Sequence, residues 1–163
     1  MAIVVRKLDV SDWELVRDVR LRALLDTPGA FYKTYAEESA YGEERWRSWF
    51  AAGRAIFAAE LDGAPVGLIA GIPAGEDERD DEVVMMVSMW VEPARRGDGV
   101  AKELTDALVG WARGYGYPRM VLWVYDGNPR AAAFYRRYGF TGTGRTETFD
   151  NDPRKISLMT MDL

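Results

Sequence analysis

Val83-Val84-Met85-Met86-Val87-Ser88-Met89-Trp90-Val91-Glu92-Pro93-Ala94-Arg95-Arg96-Gly97-Asp98-Gly99-Val100-Ala101 is the stretch on which the fold turns. From Val83 to Val91 only Ser88 is polar, which predicts a strand covered on both faces. Pro93 has no N–H to donate, so strand pairing stops there. Gly97 and Gly99 permit positive φ and close approach of a ligand to the backbone. Beyond them Val100, Ala101, Leu104, Ala107, Leu108, Trp111 and Ala112 recur with the period of one apolar helix face. A helix that starts on glycines presents unpaired N–H groups and the positive end of its dipole. With Arg95 and Arg96 beside it, that suits a phosphate or pyrophosphate. A Gly-x-Gly turn alone is equally a plain connection between strand and helix.

Outward from this stretch the chain punctuates itself. Residues 3–6 read as a strand. Asp9 or Ser11 caps a helix carrying Trp13, Leu15, Val16, Val19, Leu21 and Leu24, which ends near Thr27-Pro28-Gly29. Residues 30–38 mix aromatics and acids without a period. A second helix is expected over 43–52, stopped by Gly53. Residues 55–61 and 66–72 form a hairpin around Asp62-Gly63, with a connection that extends as far as Pro65 in its longer form. Residues 73–82 read as an exposed acidic loop. Residues 119–125 form another strand, parallel to 83–91 through the intervening helix, which makes one right-handed βαβ unit. Asn128-Pro129 starts a helix over 130–138 that stops at Gly139. Strands over 140–149 and 155–162 close the chain, with 150–153 as the turn. The order describes a mixed α/β sheet with about four helices.

Two motifs carry a resemblance. Arg96-Gly97-Asp98-Gly99-Val100-Ala101 fits Arg-x-x-Gly-x-Ala after a strand ending in Val-x-Pro, and resembles the acetyl-CoA pyrophosphate loop of the GNAT (N-acetyltransferase) family. No Lys-Ser or Lys-Thr follows, as a Walker loop would require. About 30 residues on, Asn128-x-x-Ala131-x-x-x-Tyr135-x-x-x-Gly139-Phe140 is similar to the second half of a GNAT cofactor site. Alone it is also simply a capped short helix. The resemblance implies a single domain over 1–163, with a mostly antiparallel central sheet whose βαβ unit forms the CoA site.

The resemblance further implies that the backbone at Met89 and Val91 pairs with the pantetheine arm. Arg96, Gly97, Asp98, Gly99, Val100 and Ala101 take the pyrophosphate, largely through N–H groups, with Arg95 near a phosphate, and Asn128 holds the cofactor by its amide. Tyr135 protonates the departing thiolate, with Tyr138 as the competing phenol. The implied reaction is acetyl transfer from acetyl-CoA, as co-substrate, to a primary amine of a small molecule or protein, by direct attack in a ternary complex. A backbone N–H near Met89 polarises the thioester carbonyl. A non-catalytic acyl-CoA sensor on the same fold is the alternative. A homodimer follows from family habit only.

Composition narrows the chemistry. The chain of 163 residues carries 21 basic and 26 acidic side chains, for a net charge of −5, which disfavours nucleic acid as the main partner. There is no cysteine and no histidine, so disulfides, thiol nucleophiles, Cys/His metal sites and an imidazole base are all excluded. No metal is expected. The first residues lack a signal-peptide core and no apolar run spans a membrane, so a cytoplasmic location is expected. The general base stays open among Glu37, Glu38, Glu82 and water, with Ser88 as a residue that could hold that water. Phe31, Tyr32, Tyr35 and Trp46 either line an acceptor pocket or pack on the sheet edge.

Overall fold

The computed structural model of the chain describes residues 2–74, 83–149 and 152–163. Its strands are β1 (Ile3–Lys7), β2 (Ala55–Leu61), β3 (Ala64–Pro73), β4 (Val83–Val91), β5 (Arg119–Tyr125), β6 (Thr141–Phe149) and β7 (Asp152–Asp162). Its α-helices are α1 (Trp13–Asp26), α2 (Tyr35–Ser39), α3 (Glu43–Arg47), α4 (Val100–Tyr115) and α5 (Pro129–Tyr138). The strands form a seven-stranded sheet in the order β1-β2-β3-β4-β5-β7-β6. Among the pairings given for the described residues, only β4 with β5 is parallel. The chain divides into two compact units, residues 1–72 with 87–111 and residues 73–86 with 112–163.

In the first unit β2 and β3 join through Asp62 and Gly63, both left-handed with φ of 52° and 82°. That pair of conformations matches the twist of a tight hairpin, and it is why Asp-Gly stands there. A bulge between Ala59 and Glu60 brings Pro65 into β3 opposite Glu60, so the connection is the shorter of the two expected. The apolar stripe of α1 (Val16, Val19, Ala23) packs in one core with Trp46, Ile56, Leu68 and Trp90. Gly67 decides how closely α4 lies on the sheet. A Cβ built on it would meet Leu104 Cδ1 and the Trp90 carbonyl, each at 3.0 Å.

Two local expectations change. Residues 30–38 are not wholly irregular: Thr34 and Glu37 form a reciprocal capping box that starts α2, which brings the α-helices among the described residues to five, close to the expected number. The second expected helix is short. It tightens into a 3-10 turn at Ser48–Phe50, where the Ser48 hydroxyl donates to the Arg45 carbonyl at 2.6 Å and competes with the helical ladder.

In the second unit the parallel register of β4 with β5 runs from Val83↔Arg119 to Met85↔Val121. β5 pairs antiparallel with β7 over its whole length, and β7 pairs with β6. Val83, Val121 and Leu158 form the core of this unit's sheet. β7 begins at Asp152, earlier than the strand expected from 155, because Arg154 bonds Asp152 and ties the first residues down. Most of the expected acidic loop, residues 75–82, and the turn residues 150–151 lie outside the described residues. Among the described residues, no helix is long and apolar enough to cross a membrane.

Candidate functional site

The loop after β4 is built in the first unit by backbone constraints. Glu92 N–H donates to the Val66 carbonyl at 2.8 Å, and Pro93–Arg95 makes one 3-10 turn. Gly97 and Gly99 follow with φ of 91° and 86°. A Cβ on either would meet nothing within 4 Å, so these glycines answer the backbone conformation and not crowding. Glu103 N–H is the first to close α4, on the Gly99 carbonyl at 3.1 Å. The N–H groups of Val100, Ala101 and Lys102 therefore have no acceptor within the helix. With 16 residues behind them, they carry the full positive end of the dipole.

The two arginines of this loop diverge. Arg96 turns inward, its Nε donating to the Val91 carbonyl at 3.0 Å and its Nη2 to Asp26 Oδ2 at 2.6 Å. Asp26 also accepts from Trp90 Nε1 at 3.0 Å. That indole bond first, and Arg96 after it, hold the Asp26 carboxyl below the usual carboxylate range against the opposing effect of burial. Arg96 is thus a latch between loop and helix, with Nε and Nη2 both engaged in it. Arg95 is different: its Nε is buried, and no described residue accepts from it. Asp98 is exposed.

Also in the first unit, Ser88 interrupts β4 with a left-handed φ of 60°. Its hydroxyl accepts from Arg20 Nη1 at 3.3 Å. Arg20 in turn grips Glu38, Nε to Oε1 at 3.0 Å and Nη2 to Oε2 at 2.9 Å, with its Cζ 4.4 Å from the Phe31 ring centroid. Glu38 is 2% exposed and Arg20 8%. Both Glu38 oxygens are thus occupied by Arg20 within the protein interior. Glu37 caps α2 and lies 3.5 Å from Lys33 Nζ on the surface. Glu82 lies outside the described residues. Tyr32 and Tyr35 are exposed, whereas Trp46 is core. Met89 is half-buried and Val91 buried.

In the second unit Asn128 caps α5, its Oδ1 accepting from Ala131 N–H at 3.2 Å. Pro129 occupies the first turn, and Gly139 ends the helix with φ of 133°. Tyr135 is half-buried, with Phe134 and Phe140 rings at 5.5 and 5.9 Å between centroids. Its phenol sits deep enough that desolvation pushes its pKa up to about 12. Tyr138 is half-buried as well. The side chains at this site missed from sequence are Arg20, which bonds Glu38 and Ser88, and Asp26, which bonds Trp90 and Arg96. A charge inside the buried stripe of α1 was the available signal for Arg20, whereas nothing local marks Asp26.

Comparison with known proteins agrees with this geometry. The family profile described as Acetyltransferase (GNAT) family matches residues 20–140. Rat N-acetyltransferase family 8 member 2 is 30% identical over 98 residues, 60% of this chain and 43% of the relative. An uncharacterized N-acetyltransferase of Methanocaldococcus jannaschii is 27% identical over 136 residues, 77% of this chain and 59% of that protein. The chain therefore spans roughly half the length of these relatives. Among solved structures, a GNAT-family acetyltransferase of Streptococcus pneumoniae superposes with a TM-score of 0.84 at 16% identity, covering 99% of this chain and 100% of the other. A phosphinothricin acetyltransferase of Sinorhizobium meliloti in complex with acetyl-CoA gives 0.78 at 21% identity, covering 100% and 89%. Because the family profile spans most of the sequence, the chain belongs to the GNAT acetyltransferase family.

Proposed function

We propose that the chain is an N-acetyltransferase that moves an acetyl group from acetyl-CoA to a primary amine of a small molecule or protein. One observation carries this reading: the first-turn N–H groups of α4 lack helical acceptors beside Arg95, whose buried Nε also lacks one. A pyrophosphate is the group that satisfies such a cradle. Arg95, Gly97, Asp98, Gly99, Val100 and Ala101 form it, and Arg96 braces it from behind. Asn128 spends Oδ1 on its helix cap, and its amide nitrogen is the part that serves the ligand. The backbone at Met89 and Val91 serves the pantetheine arm.

Acetyl-CoA supplies an acyl group activated as a thioester. The amine nitrogen bonds to the acyl carbon as the carbon–sulfur bond breaks, and the amine gives up its proton to water or a surface carboxylate. Tyr135 supplies the proton to sulfur. Its raised pKa keeps the phenol protonated throughout the neutral range. Desolvation raises a thiolate in the same way, so donor and acceptor stay comparable. With no cysteine in the chain, a cysteinyl acyl-enzyme is excluded.

The test is calorimetric titration with acetyl-CoA. Wild type is expected to bind, and Gly99→Trp, which fills the open space over the loop, is expected to lose binding while remaining folded by circular dichroism. Arg95→Ala is expected to weaken it about tenfold, the worth of one charge-assisted hydrogen bond. A folded wild type that ignores acetyl-CoA would overturn the reading.

A further inference from the structure

Arg20 and Glu38 present a puzzle of economy. Both are buried, yet an ion pair removed from water is no more stabilising than a well-packed apolar pair of the same volume. What the pair does have is direction. Glu38 sits in a helix whose start is pinned by the Thr34–Glu37 capping box, and its carboxylate engages two edges of the guanidinium at once. Phe31 covers one face of that guanidinium. The remaining nitrogen, Nη1, can then point only one way, and there it meets the Ser88 hydroxyl.

Ser88 is the residue that needs holding. Among the described residues only Asp62 and Ser88 take positive φ without being glycine. Asp62 is in a hairpin turn that requires it, whereas Ser88 stands within a strand. Such a conformation persists where its surroundings over-determine it, and such positions cluster at functional sites. A left-handed residue breaks the alternation of peptide planes, so the adjoining N–H groups leave the ladder direction. The backbone beyond Ser88 is fixed too. The Val91 carbonyl is taken by Arg96, and Glu92 N–H by Val66.

We infer that Arg20, locked by Glu38, is a positioning residue that holds Ser88 in its left-handed conformation and so aims the Met89 amide N–H at the thioester carbonyl. This rests on the acetyl-transfer reading above. A donor fixed before charge develops on the carbonyl oxygen needs no reorganisation during the reaction, which is how backbone amides accelerate acyl transfer.

The experiment uses acetyl-CoA as probe, with thiol release in the presence of a panel of primary amines for turnover and amide 15N–1H spectra for the donor. In wild type, the Met89 amide is expected to shift further with acetyl-CoA than with CoA, which has the pantetheine arm but lacks the carbonyl. Ser88→Ala and Arg20→Lys are expected to lose that difference and to drop kcat about tenfold. Their KM for acetyl-CoA should stay within about threefold, because misaligning a transition-state donor spares ground-state binding. Ser88→Asn is expected to recover most of the rate, since asparagine tolerates left-handed φ and its side-chain oxygen can accept from Arg20. A role in packing alone predicts the opposite order, with alanine better tolerated than asparagine. That order, or unchanged kcat in folded Ser88→Ala, would overturn the inference and leave acetyl transfer standing. Failure of wild type to bind acetyl-CoA would instead remove the reading beneath it.

Discussion

The loop at residues 93–101 and the segment at 27–42 belong to the same unit, and both lie between regular elements, but they are held in opposite ways. The loop's shape resides mainly in its backbone: a proline, two left-handed glycines and the start of a long helix. The segment's shape resides in side chains, chiefly the Arg20–Glu38 fork and the Phe31 ring against it. A ligand cradle made of N–H groups tolerates many side chains around it. A segment hung on one buried ion pair tolerates almost none at that pair.

Removing one partner of the pair should therefore have the largest effect in the molecule. Glu38→Ala leaves the Arg20 guanidinium buried without a counter-charge and is expected to lose about 3–5 kcal/mol in urea unfolding. Replacing both, Arg20→Met with Glu38→Leu, should return stability to within about 1 kcal/mol of wild type. It should not return the rate of thiol release, which separates stability from positioning. A loss below about 1 kcal/mol in Glu38→Ala would mean that side chains do not hold this segment after all.

The same contrast explains what could be read in advance. Glycine, proline and hydrophobic period are local signals, so β4, the loop, α4, and the cap and stop of α5 stand essentially where the sequence places them. The capping box of α2 was equally local, but it is one turn without an apolar face. The pairs that complete the site are separated by 18 residues for Arg20–Glu38 and 70 for Asp26–Arg96, distances at which no sequence period operates. The left-handed Ser88 lies in an apolar run, where serine reads only as a tolerated polar residue. Arg96 shows a limit of the motif: it marks the loop backbone but not the side chain, whose bonds to Asp26 and Val91 no local pattern announces.

Tyr135 tests whether α5 also depends on a single buried side chain. Its phenol ionises more readily unfolded, near 10.0, than folded, near 12. The folded state is thus favoured fully below the unfolded value, and that advantage is lost as pH rises from about 10 to about 12. Tyr135→Phe should lack this component. The fall in stability over that window should be about 3 kcal/mol smaller than in wild type, read by urea unfolding at each pH. Equal slopes would place the phenol in water.

Asp26→Ala probes the side-chain brace that the loop makes through Arg96. It removes bonds to Trp90 and Arg96, and because Arg96 is partly exposed the cost should be only about 1–2 kcal/mol. The Asp26 carboxyl is held low, so this contribution is present above the ordinary value of 3.8 and lost as pH falls through the folded value. Acetyl-CoA affinity should weaken no more than about threefold if the backbone dominates the cradle. A loss approaching that of Gly99→Trp would show that the latch, and not the glycines, sets the loop.

The smallest effect is the most selective. In the proposed reading Asn128 has two jobs: Oδ1 caps α5 through Ala131 N–H, and the amide nitrogen is the part assigned to acetyl-CoA. Aspartate caps as well as asparagine but has no N–H to give. Asn128→Asp should leave thermal stability within about 0.5 kcal/mol of wild type and weaken acetyl-CoA binding several-fold. Asn128→Ala should lose about 1 kcal/mol and the same affinity. If aspartate binds acetyl-CoA as well as wild type, the residue is a cap alone, and the second motif contributes its helix start and not its amide.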